Sequence, residues 1–434
     1  MMNTLFSRSS VGLQGELRVP GDKSISHRSV MLGSLAEGVT EVSGFLEADD
    51  ALATMTAFTD MGVKIDRLGP GHLRIQGVGL HGLKAPKNDL YVGNSGTSMR
   101  LLAGILAGQS FNSVLTGDNS LTKRPMRRVL DPLTEMGARV TSSETGTAPL
   151  KIHGGSPLRG IDYKMPMGSA QVKSCLLLAG LYASGTTQVT EPAVTRDHTE
   201  QMLRGFGYQV KTEENVVSLS GGGQLTARSI DVPSDISSAA FFIVAACITP
   251  NSDITLQHVG INPTRTGVID ILLKMGANIR LFNERLVGGE KVADIQVKTS
   301  QLTGISVPEN LVALAIDEFP VIFVAAAYAQ GQTIVTGAEE LRVKESDRIQ
   351  TMADGLQAIG VDALATADGM TIQGGRVLGG TIESFDDHRI AMSFAVAGLQ
   401  SEGVIQINNC KNVSTSFPNF VELASSCGFN LQVQ

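Results

Sequence analysis

Tryptophan is absent from this 434-residue chain, and charge is scarce: 18% of residues are Asp, Glu, Lys or Arg, against roughly 25% in an ordinary soluble domain. The net charge is −7, and no run of Lys or Arg offsets it. General binding to nucleic acid or to a membrane surface is therefore not expected, although a local basic pocket remains open. The longest apolar runs, 239–248 and 319–327, fall short of the ~18–20 residues that span a bilayer. Met1-Met2-Asn3-Thr4-Leu5-Phe6-Ser7-Arg8 lacks the basic start and apolar stretch of a signal peptide, so a cytoplasmic location is expected. Four cysteines, at 175, 247, 410 and 427, show no C-x-x-C or His-linked spacing and read as reduced, buried thiols. Seven scattered His without H-x-x-x-H pairing point to no metal site. Neither G-x-x-x-x-G-K-[ST] nor G-x-S-x-G occurs, which sets aside a P-loop kinase and a nucleophile-elbow hydrolase. Gly77-Val78-Gly79-Leu80-His81-Gly82 matches G-x-G-x-x-G, yet Pro86 follows where a helix should run, so it reads as a loop.

Glycine is abundant, 48 residues or about 11% against a usual ~7%. Six glycines close an apolar helical pattern and lead into strand-like residues: Gly62, Gly137, Gly207, Gly276, Gly360 and Gly428. Their separations are 75, 70, 69, 84 and 68 residues. Each reads as a helix end in the left-handed conformation that glycine adopts at little cost. A second, more apolar helix precedes each, at about 26–35, 96–106, 169–181, 237–248, 318–329 and 388–400, with β-branched runs such as Thr187-Gln188-Val189 between. The expected fold is α/β: six strand–helix–strand–helix–strand–strand units of roughly 72 residues, three to a lobe, with a cleft between lobes. Asp231-Val232-Pro233-Ser234-Asp235 lies near the midpoint, and Pro20-Gly21 offers a second crossing.

The apolar helices begin with the most unusual polar clusters. Asp22-Lys23-Ser24-Ile25-Ser26-His27-Arg28, Gly93-Asn94-Ser95-Gly96-Thr97-Ser98-Met99-Arg100 and Gly168-Ser169-Ala170-Gln171-Val172-Lys173 come first. Ser234-Asp235-Ile236-Ser237-Ser238, Asp317-Glu318-Phe319-Pro320 and Asp386-Asp387-His388-Arg389 follow. Ordinary capping explains any one of them. Six equivalent helix starts, several with Lys or Arg, instead suit phosphates and carboxylates, because a helix start offers free N–H groups and about half a positive charge. Leu121-Thr122-Lys123-Arg124-Pro125-Met126 and Leu341-Arg342-Val343-Lys344-Glu345-Ser346-Asp347-Arg348 add basic groups at the starts of the amphipathic helices, with Lys344 and Arg348 expected on one helical face.

These clusters, with Pro20-Gly21 before Asp22 and Ser174 after Lys173, resemble the 5-enolpyruvylshikimate-3-phosphate synthase family of enolpyruvyl transferases over essentially the whole chain. The resemblance implies two lobes, residues 1–20 with 236–434 and residues 21–235, and an active site in the cleft between them. It implies transfer of the enolpyruvyl group of phosphoenolpyruvate to the 5-hydroxyl of shikimate 3-phosphate, with phosphate released through a tetrahedral intermediate, in aromatic amino-acid biosynthesis. No cofactor or metal is implied, glyphosate is the family's inhibitor, and a monomer is expected. Shikimate 3-phosphate falls to Lys23, Ser24, Arg28, Ser169, Ala170, Gln171, Arg196, Asp317 and Lys344. Phosphoenolpyruvate falls to Lys23, Gly96, Arg124, Gln171, Arg348 and Arg389, the arginine forks matching carboxylate and phosphate.

By the same resemblance Asp317 is the base for the 5-hydroxyl. Glu345 exchanges the proton at the methylene carbon, with Lys23 a competing candidate, although the cations Lys344 and Arg348 beside Glu345 favour its ionised form. Two positions depart from the family pattern. Thr415 stands where one branch has Lys before Ser416-Phe417-Pro418, and Lys411 is not its equivalent; Leu101 follows Arg100 where many members have Pro. The alternatives are the sister enzyme acting on UDP-N-acetylglucosamine, whose mobile-loop Cys is missing from 121–126, and a non-catalytic anion-binding protein.

Overall fold

The computed structural model describes residues 3–434, which divide into two compact units. A continuous unit spans Gly21–Val232; a discontinuous unit joins the residues up to Pro20 with Pro233–Gln434.

In the continuous unit, helices α1 (Lys23–Leu35), α3 (Gly96–Ala107) and α5 (Ala170–Gly180) are the apolar ones, and α2 (Asp49–Asp60), α4 (Arg127–Glu135) and α6 (His198–Gly205) the amphipathic ones. Three four-stranded sheets surround them, and all three have one topology. A short strand pairs parallel with a second, which pairs antiparallel with a third, which pairs antiparallel with a fourth. The quartets are Ile230–Asp231, Glu37–Ser43, His72–Val78 and Lys64–Gly69; Leu90–Tyr91, Ser113–Thr116, Leu150–His153 and Arg139–Thr141; and Asp162–Lys164, Thr186–Thr190, Val216–Ser220 and Lys211–Glu213. Strand alternation buries one face of each, as in Leu73 and Ile75 against exposed Arg74 and Gln76. Helices α3 and α5 touch at Gly104, where a Cβ would stand 2.2 Å from the Cys175 carbonyl oxygen. Only glycine permits that approach.

The discontinuous unit carries α7 (Ile236–Ile248), α8 (Gly267–Lys274), α9 (Glu309–Val312), α10 (Phe319–Ala327), α11 (Arg348–Ala358), α12 (His388–Ala397) and α13 (Phe420–Ser426). Helices α7, α10 and α12 pack on one another. Every residue of Ile236–Cys247 is buried, as a helix apolar on all sides must be. Two of its sheets repeat the same strand order. In one, Gln14–Leu17 supplies the parallel strand beside Asp253–Gly260. In the other, Thr4–Arg8 is a central strand between Ile405–Asn408 and Asn430–Val433. The chain's early strands thus complete sheets made by its second half. Phe242, Phe417, Phe420 and Phe429 form an aromatic cluster in this core, each worth about 1.5–3 kcal/mol of burial.

All six helix-ending glycines adopt positive φ, from 85° at Gly207 and Gly360 to 116° at Gly428. The Gly77–Gly82 motif is the end of a strand and a turn, with no helix before Leu90. The four cysteines are free and buried, and burial pushes the Cys175 and Cys247 thiols up to about 12. Among the described residues no helix is long and apolar enough to cross a membrane.

Candidate active site

Polar side chains cap five of the six apolar helices; α10, which opens on Glu318-Phe319-Pro320, has no side-chain cap. Asp22, Ser95 and Ser169 accept from Ile25, Ser98 and Val172 N–H; Asp235 and Asp387 accept from Ser237 and Arg389 N–H. Each such cap stabilises its helix by about 1 kcal/mol and leaves other first-turn N–H groups facing outward.

In the continuous unit, Lys23 and Ser24 begin α1, and the Lys23 ammonium pairs with Asp50 of α2. Arg28, one turn on, is 5% exposed. Its Nη1 donates to the Ser24 carbonyl at 3.0 Å, Nε to Thr199 Oγ1 at 2.7 Å and Nη2 to Ser174 Oγ at 2.9 Å. These bonds tie α1 to α5 and α6. At the start of α3, Gly96 lies under two guanidinium groups: a Cβ there would be 3.0 Å from Arg100 Nη1 and 3.1 Å from Arg124 Nη1. Arg124 is fixed by Asn94, whose Oδ1 accepts from Nη2 at 2.6 Å, and Asn94 in turn donates to Asp118 at 2.8 Å. Gln171 at the start of α5 reaches the same place, accepting from Arg100 and donating to Thr97 Oγ1 at 3.1 Å. Gly96, Arg124 and Gln171 are thereby brought together. Ser169 and Ala170 precede Gln171 at the same helix start, and half-buried Arg196 lies between the strand Thr186–Thr190 and α6.

Beneath this surface runs a chain of buried hydroxyls. Ser95 Oγ, Ser98 Oγ and Thr54 Oγ1 are linked at 2.7 and 2.6 Å, and Thr54 lies 2.7 Å from His27 Nδ1. Burial, then the charges of Lys23 and Arg28, hold His27 well below the usual histidine value, so its ring is neutral.

In the discontinuous unit, Asp317, Lys344, Glu345, Arg348 and Arg389 form one connected cluster. Asp317 Oδ1 is 3.4 Å from both Lys344 Nζ and Arg348 Nη1. Arg348 Nη2 is 2.7 Å from Glu345 Oε2, and Arg389 Nη1 donates to the Asp317 carbonyl at 2.9 Å. Arg348 is 1% exposed and bonds Asp387 through Nε at 2.8 Å and Nη2 at 3.2 Å. Burial opposes the charge of Arg348, but Asp387, Glu345 and Asp317 outweigh it and raise the guanidinium above the usual arginine value. Burial likewise opposes ionisation of Asp387, and Arg348 more than compensates, holding that carboxyl below the usual range.

One local expectation is corrected here. Lys344 and Arg348 do not share a helical face: Glu339–Val343 is a 3-10 turn, Asp347 caps α11, and the helix starts only at Arg348. The two cations meet at Asp317 because the turn folds back, with Arg342 bonded to Asp347 at 2.6 Å.

The chain also matches known proteins over nearly its whole length. The family model described as EPSP synthase (3-phosphoshikimate 1-carboxyvinyltransferase) matches residues 8–423. The chain belongs to the EPSP synthase family. It is similar to the 3-phosphoshikimate 1-carboxyvinyltransferase of Methylococcus capsulatus, with 65% identity over 421 residues, 97% of this chain and 96% of the relative. That of Hydrogenovibrio crunogenus is 62% identical, covering 96% of each chain. Among solved structures, EPSP synthase from Acinetobacter baumannii matches with a TM-score of 0.90 and 57% identity over 100% of both chains.

Within this EPSP synthase fold, several residues with clear places in the clusters carried no role from the sequence. Arg100 is 6% exposed and holds Gln171. Asn94 fixes Arg124, and Asp387 is the buried counter-ion of Arg348. The signal for Arg100 and Asp387 was available: Arg100 lies in the second turn of a mostly apolar helix and Asp387 caps another.

Proposed function

We infer that this chain performs the reaction of its family: the enolpyruvyl group of phosphoenolpyruvate passes to the 5-hydroxyl of shikimate 3-phosphate, and phosphate leaves. The observation that carries the residue assignment is the placing of a carboxylate, Asp317, against Lys344, Arg348 and, through its carbonyl, Arg389. Two small substrates that each bear phosphate and carboxylate need concentrated cations, and a carboxylate placed among the groups that bind them stands within reach of a substrate proton.

Asp317 takes the proton of the 5-hydroxyl as its oxygen attacks C2 of phosphoenolpyruvate. A substrate phosphate beside Glu345 offsets Lys344 and Arg348 and lets that carboxyl carry a proton; the electron pair of the double bond takes it, with Lys23 the competing donor, which gives the tetrahedral ketal phosphate. In the second half, the carbon–oxygen bond to phosphate breaks and Glu345 takes a methyl proton back, restoring the double bond. Phosphate departs toward arginine groups that stabilise its growing charge, and the proton held by Asp317 passes to it, which restores the base. Lys23, Gly96, Arg124, Gln171, Arg348 and Arg389 are assigned to phosphoenolpyruvate. Lys23, Ser24, Arg28, Ser169, Ala170, Gln171, Arg196, Asp317 and Lys344 are assigned to shikimate 3-phosphate. Glyphosate, a phosphonate with a carboxylate, is assigned to the phosphoenolpyruvate groups, and the enzyme to a monomer in the cytoplasm.

The test is phosphate release from phosphoenolpyruvate. Release that depends on shikimate 3-phosphate is the expected result. Release only with UDP-N-acetylglucosamine selects the sister reaction, and no release with either acceptor leaves simple anion binding.

A further inference from the structure

Two residues beyond Gln171, α5 buries an ammonium between two carboxylates. Lys173 Nζ lies 2.8 Å from Glu191 Oε2 and 2.7 Å from Glu200 Oε1, with the three side chains 1%, 2% and 1% exposed. Sealing such a group from water is a poor way to stabilise a fold, since well-packed apolar residues often serve as well or better. What the group holds is more informative. Lys173 Nζ also donates to the Thr195 carbonyl at 3.3 Å, and Thr195 Oγ1 donates to Glu191 Oε1. Asn215 Nδ2 donates to the Glu191 carbonyl. Residues 191–197 belong to no helix or strand, and these bonds fasten them at both Glu191 and Thr195. Arg196 is the next residue.

The same seam reaches Arg28. Thr199 and Glu200 are neighbours on α6, Ser174 follows Lys173 on α5, and Thr199 Oγ1 donates to Ser174 Oγ at 2.7 Å. Arg28 donates to both hydroxyls. Two arginines assigned to one anion are therefore positioned from a single buried polar layer. Burial raises the Glu200 carboxyl while Lys173 opposes the rise, the direction that relieves the excess negative charge of two carboxylates on one ammonium.

We propose that Lys173, Glu191 and Glu200, with Thr195, form a buried clamp that presets Arg196 and Arg28 for the phosphate of the acceptor substrate. They are positioning residues, setting acceptor affinity without touching substrate. The proposal rests on the assignment of Arg28 and Arg196 to shikimate 3-phosphate.

Its test is a split between the two substrates. In Lys173→Met, KM and the calorimetric Kd for shikimate 3-phosphate rise about 10- to 100-fold, the range set by loss of one charge-assisted contact, while KM for phosphoenolpyruvate stays within about threefold. Thr195→Val removes only the hydroxyl on Glu191, leaves the ammonium paired, and gives a smaller rise of the same kind. It serves as the test should Lys173→Met fail to fold. Because the Thr195 arm of the clamp fastens the segment that carries Arg196 and not the hydroxyls that hold Arg28, Thr195→Val added to Arg196→Gln weakens acceptor binding no further than Arg196→Gln alone. Unchanged acceptor affinity in folded Thr195→Val, an equal loss for both substrates, or full additivity with Arg196→Gln overturns the clamp. Wild-type enzyme that fails to bind shikimate 3-phosphate overturns the assignment beneath it, and the clamp as well.

Discussion

The two units differ in the groups that orient their site arginines, although Lys23 and Lys173 of the continuous unit pair with carboxylates. In the continuous unit, Arg28 is held by two hydroxyls and a carbonyl, Arg124 by a carboxamide, and Arg100 reaches the carboxamide of Gln171. In the discontinuous unit, Arg348 is surrounded by the carboxylates of Asp387, Glu345 and Asp317, and Lys344 reaches Asp317 and Glu340. Neutral acceptors orient a guanidinium without cancelling its charge, which suits a group meant to bind an anion. Carboxylates interleaved with cations supply what anion binding alone never needs, proton acceptors and donors at fixed places. On the roles proposed above, the assigned base Asp317 lies in the second unit, whereas Lys23 is the first unit's one candidate for proton transfer.

The largest way to break that contrast is Asp317→Asn. The amide keeps the size of the side chain and removes the base. The expected result is a fall in kcat of about a hundred- to ten-thousand-fold with shikimate 3-phosphate binding retained. Turnover at the wild-type rate sinks the assignment.

Next comes Asp387→Asn, which leaves Arg348 without its fully buried counter-charge. Breaking a buried pair in this way costs about 3–5 kcal/mol at pH 7, measured by urea unfolding. The folded carboxyl lies below its unfolded value of ~3.9, so its contribution is complete above that value and disappears as pH falls through the lower, folded one. The gap between wild type and variant therefore narrows below pH ~4. A gap that stays constant down to pH ~2 shows that the pair is not what the substitution removed.

A paired exchange of Arg for Lys sharpens the difference between the units. In Arg124→Lys the ammonium cannot hold Asn94 and meet a bidentate anion at once, so KM for phosphoenolpyruvate rises about tenfold while stability changes by less than ~1 kcal/mol. In Arg348→Lys the bonds to Asp387 are lost from a side chain 1% exposed, and stability falls together with affinity. Equal stability losses in the two variants erase the distinction drawn between neutral and ionic positioning.

The helix starts were legible in the sequence because capping is local. Asp22, Ser95, Ser169, Asp235 and Asp387 each stand within three residues of the N–H they accept. The alternation of helix and strand was legible too, since glycine marks a positive φ at each helix end. What joins distant segments was not. Arg348 and Asp387 are 39 residues apart, and His27, Thr54 and Ser98 meet from three helices. No local period encodes such meetings; they follow from how the helices pack. The Lys344–Arg348 spacing misled for the converse reason: four residues share a face only inside a helix, and there the helix had not begun.

The smallest and most specific effect belongs to Gly96→Ala. The added methyl would sit 3.0 Å from Arg100 Nη1 and 3.1 Å from Arg124 Nη1, closer than carbon packs comfortably against nitrogen. Both atoms are the far ends of flexible side chains, so the arginines give way by a few tenths of an ångström rather than the fold. Stability is then unchanged within ~0.5 kcal/mol, and the cost appears only where the guanidinium positions matter. Phosphoenolpyruvate, the shorter ligand, loses a few-fold in KM. Glyphosate, proposed to bind the same groups, is the longer molecule, so its inhibition is expected to be competitive with phosphoenolpyruvate and to weaken by about tenfold or more. An inhibition constant that does not move in this variant removes glyphosate from the pocket beside Gly96; equal losses for substrate and inhibitor show that the methyl acts through Arg124 alone.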